Sequence, residues 1–218
     1  MDNIDKTRRT LLQQAIAVPA SLAVAGALSG RAVANTDPLR DVIVVNSLGA
    51  LFDRQAALSV EEKQLNLTIS AYSSVNSITP RSLGDARDSG MTAVNITMGY
   101  VDGAVDPFEH TMREFGRWNR ILERYPERLL HVRSTADILR AKAEGKVGVI
   151  FGFQNGVMVG NDASRVQLFA DLGVRVFQMT YNKATQLGDG CNAPENRGLT
   201  PLGRQVIAEL NESRVIRF

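Results

Sequence analysis

The stretch that decides the fold is Gly145–Asn211, GKVGVIFGFQNGVMVGNDASRVQLFADLGVRVFQMTYNKATQLGDGCNAPENRGLTPLGRQVIAELN. Val147 to Phe153 is a short and almost unbroken apolar run, the pattern of a strand buried on both faces. Asp162 then opens a helical pattern that puts Val166, Phe169, Ala170 and Leu172 on one side, and Gly173 stops it. Val174 to Thr180 is a second strand. Strand, helix and strand form a βαβ unit, so the two strands are predicted to be parallel neighbours.

Both strands run into polar residues at their C-terminal ends. Gln154 and Asn155 follow the first; Tyr181, Asn182 and Lys183 follow the second. In parallel α/β folds that rim is where ligands bind. The connection from Lys183 to Leu199, with Gly188, Asp189, Gly190, Pro194 and Glu195, is long enough to expect a functional loop. Thr200 and Pro201 supply an N-cap and a first-turn proline for the next helix.

The elements GKVGVIFGFQNG, FADLGVRVFQMTYN and PENRGLTPLGRQVIAELN, in this order, resemble the renal (membrane) dipeptidase family, zinc peptidases of the amidohydrolase superfamily. The resemblance implies an α/β fold of the TIM-type (β/α) barrel kind and hydrolysis of dipeptides. It also implies a two-zinc site whose ligands come from the first strand, from a bridging glutamate after the third and from two later histidines.

Outward from this centre the chain repeats the same pattern. Asp41 to Val45 reads as a β-branched strand leading into Asn46–Leu51, and Thr92 to Met98 as another strand. The loop Gly99–Pro107 carries Asp102 and Asp106, carboxylates able to meet a metal or a substrate amine, although solvated loop carboxylates are the commoner case. Pro80 to Ser89 is predicted as a short helix stopped by Gly90. Phe108 to Tyr125 is an amphipathic helix with Phe108, Met112, Phe115, Trp118, Ile121 and Leu122 at helical spacing. Leu129 to Val132 is a short strand, and Ser134 with Asp137 is a variant capping box for a helix to Ala143. Leu58 to Thr79 mixes helix and strand signals. Arg214–Ile216 begins a further strand.

Met1–Ala34 reads as a cleaved export signal. Thr7-Arg8-Arg9-Thr10-Leu11-Leu12 resembles a twin-arginine pattern, small and apolar residues run from Ala15 to Leu28, and Ala32-Val33-Ala34 offers a cleavage site. An N-terminal anchoring helix is the alternative; Pro19, Ser21 and Gly26 interrupt it. The expectation is a periplasmic protein in a bacterial cell, with residues 35–218 as a partial barrel domain.

Composition narrows the function classes. A net charge of +2, with 22% charged residues and no polybasic run, gives no sign of nucleic-acid binding. One cysteine, Cys191, excludes an intrachain disulfide; with no base nearby it is read as an incidental loop residue. The two histidines, His110 and His131, have no spacing that suggests a metal pair.

Several positions depart from what the resemblance implies. Leu48 stands where the family's first-strand histidine belongs and Ala50 where its second aspartate belongs, and neither can ligate zinc. The bridging glutamate falls on Gln154, which is neutral and at most a weak metal or water contact. The substrate-side histidine falls on Tyr181, whose phenol can donate to a developing oxyanion. Asn182 and Asp189 are the candidate contacts to the substrate termini. The later histidines have no counterpart before Phe218, so the expectation is a truncated barrel of about five βα units. An uncovered sheet edge then favours marginal solubility or self-association. The alternatives to a dipeptidase are an exported non-catalytic protein that binds a peptide or other small molecule, or a fragment without function.

Overall fold

The computed structural model describes residues 39, 41–53 and 78–217. The Met1–Ala34 signal reading, and all but the last residues of the ambiguous stretch Leu58–Thr79, lie outside them.

Among the described residues six parallel strands alternate with helices. In chain order they are β1 (Val45–Gly49), α1 (Pro80–Asp88), β2 (Ala93–Thr97), α2 (Pro107–Arg124), β3 (Leu129–His131), α3 (Thr135–Ala143), β4 (Val147–Phe153), α4 (Arg165–Asp171), β5 (Val174–Phe177), α5 (Pro201–Glu212) and β6 (Ile216–Arg217). The sheet runs β1-β2-β4-β5-β6, and β3 also pairs with β4. Each of these strand pairings is parallel. The fold is therefore the expected incomplete (β/α) barrel, with β4 at its centre.

β4 has two edges and three partners. β2 runs along one edge, from Ala93 opposite Gly148 to Thr97 opposite Gly152. The other edge is divided. β3 pairs with Val147–Val149, and β5 pairs with Phe151–Phe153. All seven β4 residues are buried, as the unbroken apolar run requires.

Alternation along the strands sends side chains to two faces. Val149, Phe151 and Phe153 join Val94, Ile96 and Met98 on the first face, where Leu83 of α1, Phe115 and Trp118 of α2, Phe169 of α4 and Val206 of α5 cover them. Phe153 is the hub. Its ring centroid lies 5.0 Å from Phe169, 5.5 Å from Phe177 and 6.2 Å from Phe115. On the second face a smaller cluster of Ala93, Leu130, Val132 and Ile150 packs against Ala141 of α3. That second face is the inner one in a closed βα barrel, where the helices form the outer ring. Beyond α3 it opens into an apolar groove walled by Ile138, Ile150, Val176 and Ile216.

The helix ends follow the sequence signals. Thr79 caps α1 in a reciprocal box with Ser82, with Pro80 in the first turn. Thr200 Oγ1 accepts from Gly203 N at 2.9 Å to start α5. Asp137 accepts from Ser134 N at 2.9 Å at the start of α3. Gly90, Gly145 and Gly173 follow their helices with φ of +81°, +65° and +102°, a region that favours glycine.

Three elements have a boundary that departs from the sequence reading by three residues or more. The first strand is Val45–Gly49, not Asp41–Val45, because pairing sets it: Val44 O accepts from Thr92 N at 2.8 Å, and the register then runs from Val45 opposite Ala93. β5 ends at Phe177, three residues before Thr180. α4 starts at Arg165, because Asp162 Oδ1 holds Ser164 N at 3.0 Å in a turn ahead of the helix.

Candidate functional site

The C-terminal ends of β2, β4 and β5 open into a cleft of about 490 Å³, within the usual range for a small-molecule site. Its walls are the β2–α2 loop with Tyr100 and Asp102, Asn155 after β4, and Tyr181, Asn182 and Lys183 after β5. All but Tyr100 are strand-end residues singled out from the sequence, brought together by the parallel ladder.

The β2–α2 loop is fixed at both ends. Tyr100 N donates to Thr111 Oγ1 of α2 at 3.0 Å, and its hydroxyl donates to Gly103 O at 2.8 Å. Asp106 does not face a ligand. Its Oδ1 accepts from Glu109 N at 2.6 Å and caps α2. Asp102 does face the cleft. Lys183 Nζ lies 3.0 and 3.1 Å from its two carboxylate oxygens. This pair spans the cleft mouth and joins segments 81 residues apart. The Lys183 hydrogen bond holds the Asp102 carboxyl below its ordinary range, and the same contact raises the Lys183 ammonium. Burial, then the Asp102 charge, raises the Tyr100 phenol.

On the floor, Asn155 Nδ2 donates to Val101 O at 2.9 Å and ties the end of β4 to the β2 loop. Tyr181 and Asn182 are half-buried on the opposite wall. Their backbone carbonyls accept from Cys191 N and Asn192 N at 2.9 and 2.8 Å. Gly190 makes this closeness possible: a Cβ there would lie 2.4 Å from Tyr181 O and 2.5 Å from Lys183 O. Cys191 is exposed, and its Sγ lies 3.3 Å from Asn182 Oδ1.

Asp189 sits apart from the cleft walls. Its side chain is only 4% exposed and is closed over by Arg197. Arg197 donates to it through Nη2 at 2.8 Å, Nε at 3.1 Å and its backbone N–H at 2.7 Å. These bonds hold the carboxyl down at about 2. They give Asp189 the work of folding the long loop. Gln154 is buried and also outside the cleft walls, and its Oε1 has no hydrogen-bond partner among the described residues.

The donor set does not fit a zinc pair. Leu48 is apolar and 53% exposed, Ala50 is exposed, and Gln154 is neutral. His110 is buried in α2, and His131 on β3 lies against the Phe151 ring at 4.1 Å. Among the described residues no group of three His, Cys, Asp or Glu side chains is placed to hold a metal.

Sequence reasoning missed the partners that determine what each residue does. Asp102 and Lys183 are both visible in the sequence but their pairing is not, nor is the hold of Arg197 on Asp189. Tyr100 carried no signal beyond its position in a strand-end loop.

Comparison with known proteins agrees with the fold. A sequence profile described as "Membrane dipeptidase (Peptidase family M19)" matches residues 45–216. Dipeptidase tcpJ of Claviceps purpurea is 29% identical over 108 residues, which is 49% of this chain and 25% of that protein. Dipeptidase aclJ of Aspergillus oryzae is 25% identical and is matched over 26% of its length. Among solved structures, an amidohydrolase from Pseudomonas aeruginosa superposes with a TM-score of 0.63 at 29% identity, covering 82% of this chain and 46% of that one. A metallo peptidase from Rhodobacter sphaeroides, solved with a phosphinate mimic of the dipeptide L-Ala-D-Ala, superposes at 0.62 with 15% identity, over 81% and 57% of the two chains. The chain thus spans about half the length of the structures it matches.

Proposed function

The chain belongs to the membrane dipeptidase family, and on that premise we propose that its strand-end cleft receives a dipeptide or a similarly small zwitterion, as part of a dipeptidase-type hydrolase. The observation that carries this reading is the Asp102–Lys183 pair. A dipeptide presents an ammonium at one end and a carboxylate at the other. Asp102 and Lys183 offer the complementary charges at the mouth of a cleft of suitable volume. Binding separates the pair, and each partner exchanges one opposite charge for another, so little electrostatic energy is lost. The Tyr181 phenol then donates to the substrate carbonyl oxygen, where negative charge grows during amide cleavage. Asn182 positions the backbone of the substrate.

Calorimetry with L-alanyl-D-alanine tests this. Binding to the whole chain is expected, weakened about ten-fold by Lys183→Met or Asp102→Asn. No binding, or binding indifferent to both substitutions, would remove the assignment.

A second reading is binding without cleavage, and the neutral or apolar side chains at Leu48, Ala50 and Gln154 favour it. A dipeptide that binds but stays intact in the presence of zinc selects that reading. Release of free alanine excludes it. The Thr7–Leu12 pattern supports export to the periplasm, which fractionation of cells expressing the chain would check. Ile216 on β6, 66% exposed, supports association through the open edge, which sedimentation would detect as a dimer or larger species.

A further inference from the structure

Three side chains on the second face of the sheet are buried with a polar atom unpaired. Asn95 is 6% exposed, Thr97 7% and Gln154 7%. Asn95 Oδ1, Thr97 Oγ1 and Gln154 Oε1 each have no hydrogen-bond partner among the described residues. Burying an oxygen this way costs stability unless something meets it.

Their placement is not scattered. Asn95 and Thr97 are two apart on β2 and share the face of Ala93. On the neighbouring strand β4, Thr97 stands opposite Gly152, and Gln154 follows two residues later. Asn95 leans across the gap that Gly152 leaves, since a Cβ there would lie 2.1 Å from Oδ1. Its orientation is fixed by chemistry. Nδ2 donates to Ser47 O at 2.8 Å, so the free end is the carbonyl oxygen.

The set comprises two amide oxygens that only accept and one hydroxyl that can do either. A zinc or other divalent ion there would be buried without a single anionic ligand, which is costly. A primary carboxamide is the complement. It brings two N–H donors for Asn95 and Gln154 and one carbonyl oxygen for the Thr97 hydroxyl. It also adds no charge to a site that has none.

We propose that Asn95, Thr97 and Gln154, over Gly152, form a metal-independent receptor for an uncharged primary carboxamide group. It is separate from the charged pair on the loops, and it replaces at Gln154 the metal-bridging role that the family resemblance implies.

The probe is N-acetylglycinamide, which is uncharged and cannot exploit Asp102 or Lys183. Its binding to the whole chain is measured by ligand-observed NMR, with and without EDTA. The expected result is binding that EDTA and added zinc leave unchanged. Thr97→Val and Gly152→Ala are each expected to weaken it about ten-fold, Thr97→Ser to retain it, and Lys183→Met to have no effect. Thr97→Val keeps the side-chain volume, so it tests the hydroxyl even if Gly152→Ala disturbs the strand. Thermal melts of each variant separate lost binding from lost fold. Absence of binding to the unmodified chain overturns the proposal. So does binding that survives Thr97→Val in a folded protein, or binding that depends on zinc. Failure of L-alanyl-D-alanine to bind while N-acetylglycinamide binds would remove the dipeptide reading and leave this one standing.

Discussion

Replacing Glu114 with glutamine is expected to stabilise the protein above neutral pH. Glu114 lies on the buried side of α2 at 2% exposure, and it pairs with Arg117 Nη1 at 3.0 Å. Burial outweighs that pair and pushes the carboxyl from 4.5 up to about 7. A carboxyl raised in the folded state holds its proton over a range where the unfolded chain has already lost it. Its contribution is therefore complete below pH 4.5 and is lost as the pH climbs through 7. At about 1.4 kcal/mol per pH unit, the cost of the buried charge above pH 7 is on the order of 3 kcal/mol. Glutamine keeps the shape and still accepts from Arg117. Glu114→Gln should thus gain up to that amount at pH 8 and almost nothing near pH 4.5. Urea unfolding of both proteins from pH 5 to 8 at constant ionic strength measures the difference. His131 runs the opposite way: burial lowers it from 6.5 to about 4, so its contribution is present above 6.5 and disappears as the pH falls through 4. Taking the variant minus wild-type difference cancels that second slope. A gain that does not change with pH, or a variant less stable at pH 8, would refute the reasoning.

Other outcomes follow from packing and loop geometry. Phe153→Ala should cost about 3–5 kcal/mol in denaturant unfolding, because the ring contacts Phe115, Phe169 and Phe177 and leaves a cavity between helices and sheet. Gly190→Ala puts a Cβ within 2.6 Å of the backbone at Tyr181, Asn182 and Lys183; calorimetry should show dipeptide affinity falling while β4 stays folded. Thr200→Ala removes the cap from α5 and should lower unfolding free energy by about 1 kcal/mol, read from the shift in urea midpoint.

Much of the fold was legible because the signals were local. The apolar run Val147–Phe153 became β4 without a shift in either boundary, and Thr200-Pro201 marked the start of α5. What escaped was decided by contacts distant in sequence. The start of β1 depends on Thr92, far along the chain, so β-branched residues at 42–45 misplaced it. Nothing in TADILRAKA says that α3 packs on the face opposite α1, α2, α4 and α5. In the candidate site the residue types were visible but not their partners. Asp106 turned out to be a cap and Asp189 a loop clasp, while Asp102 took Lys183 from across the cleft. A carboxylate in a loop sequence looks the same in all three cases.

The divided edge of β4 has a consequence for how the protein opens. Val147 N donates to Arg128 O on one side, and Gly148 N donates to Thr92 O on the other. No single neighbour can peel away and free the whole strand, because β2, β3 and β5 must all leave. In deuterated water its amides should therefore exchange last, at a rate set by complete unfolding, while those of β1 and β6 exchange through fraying of the sheet margins. Deuterium uptake at Val147–Phe153 would then report the free energy of unfolding without any denaturant.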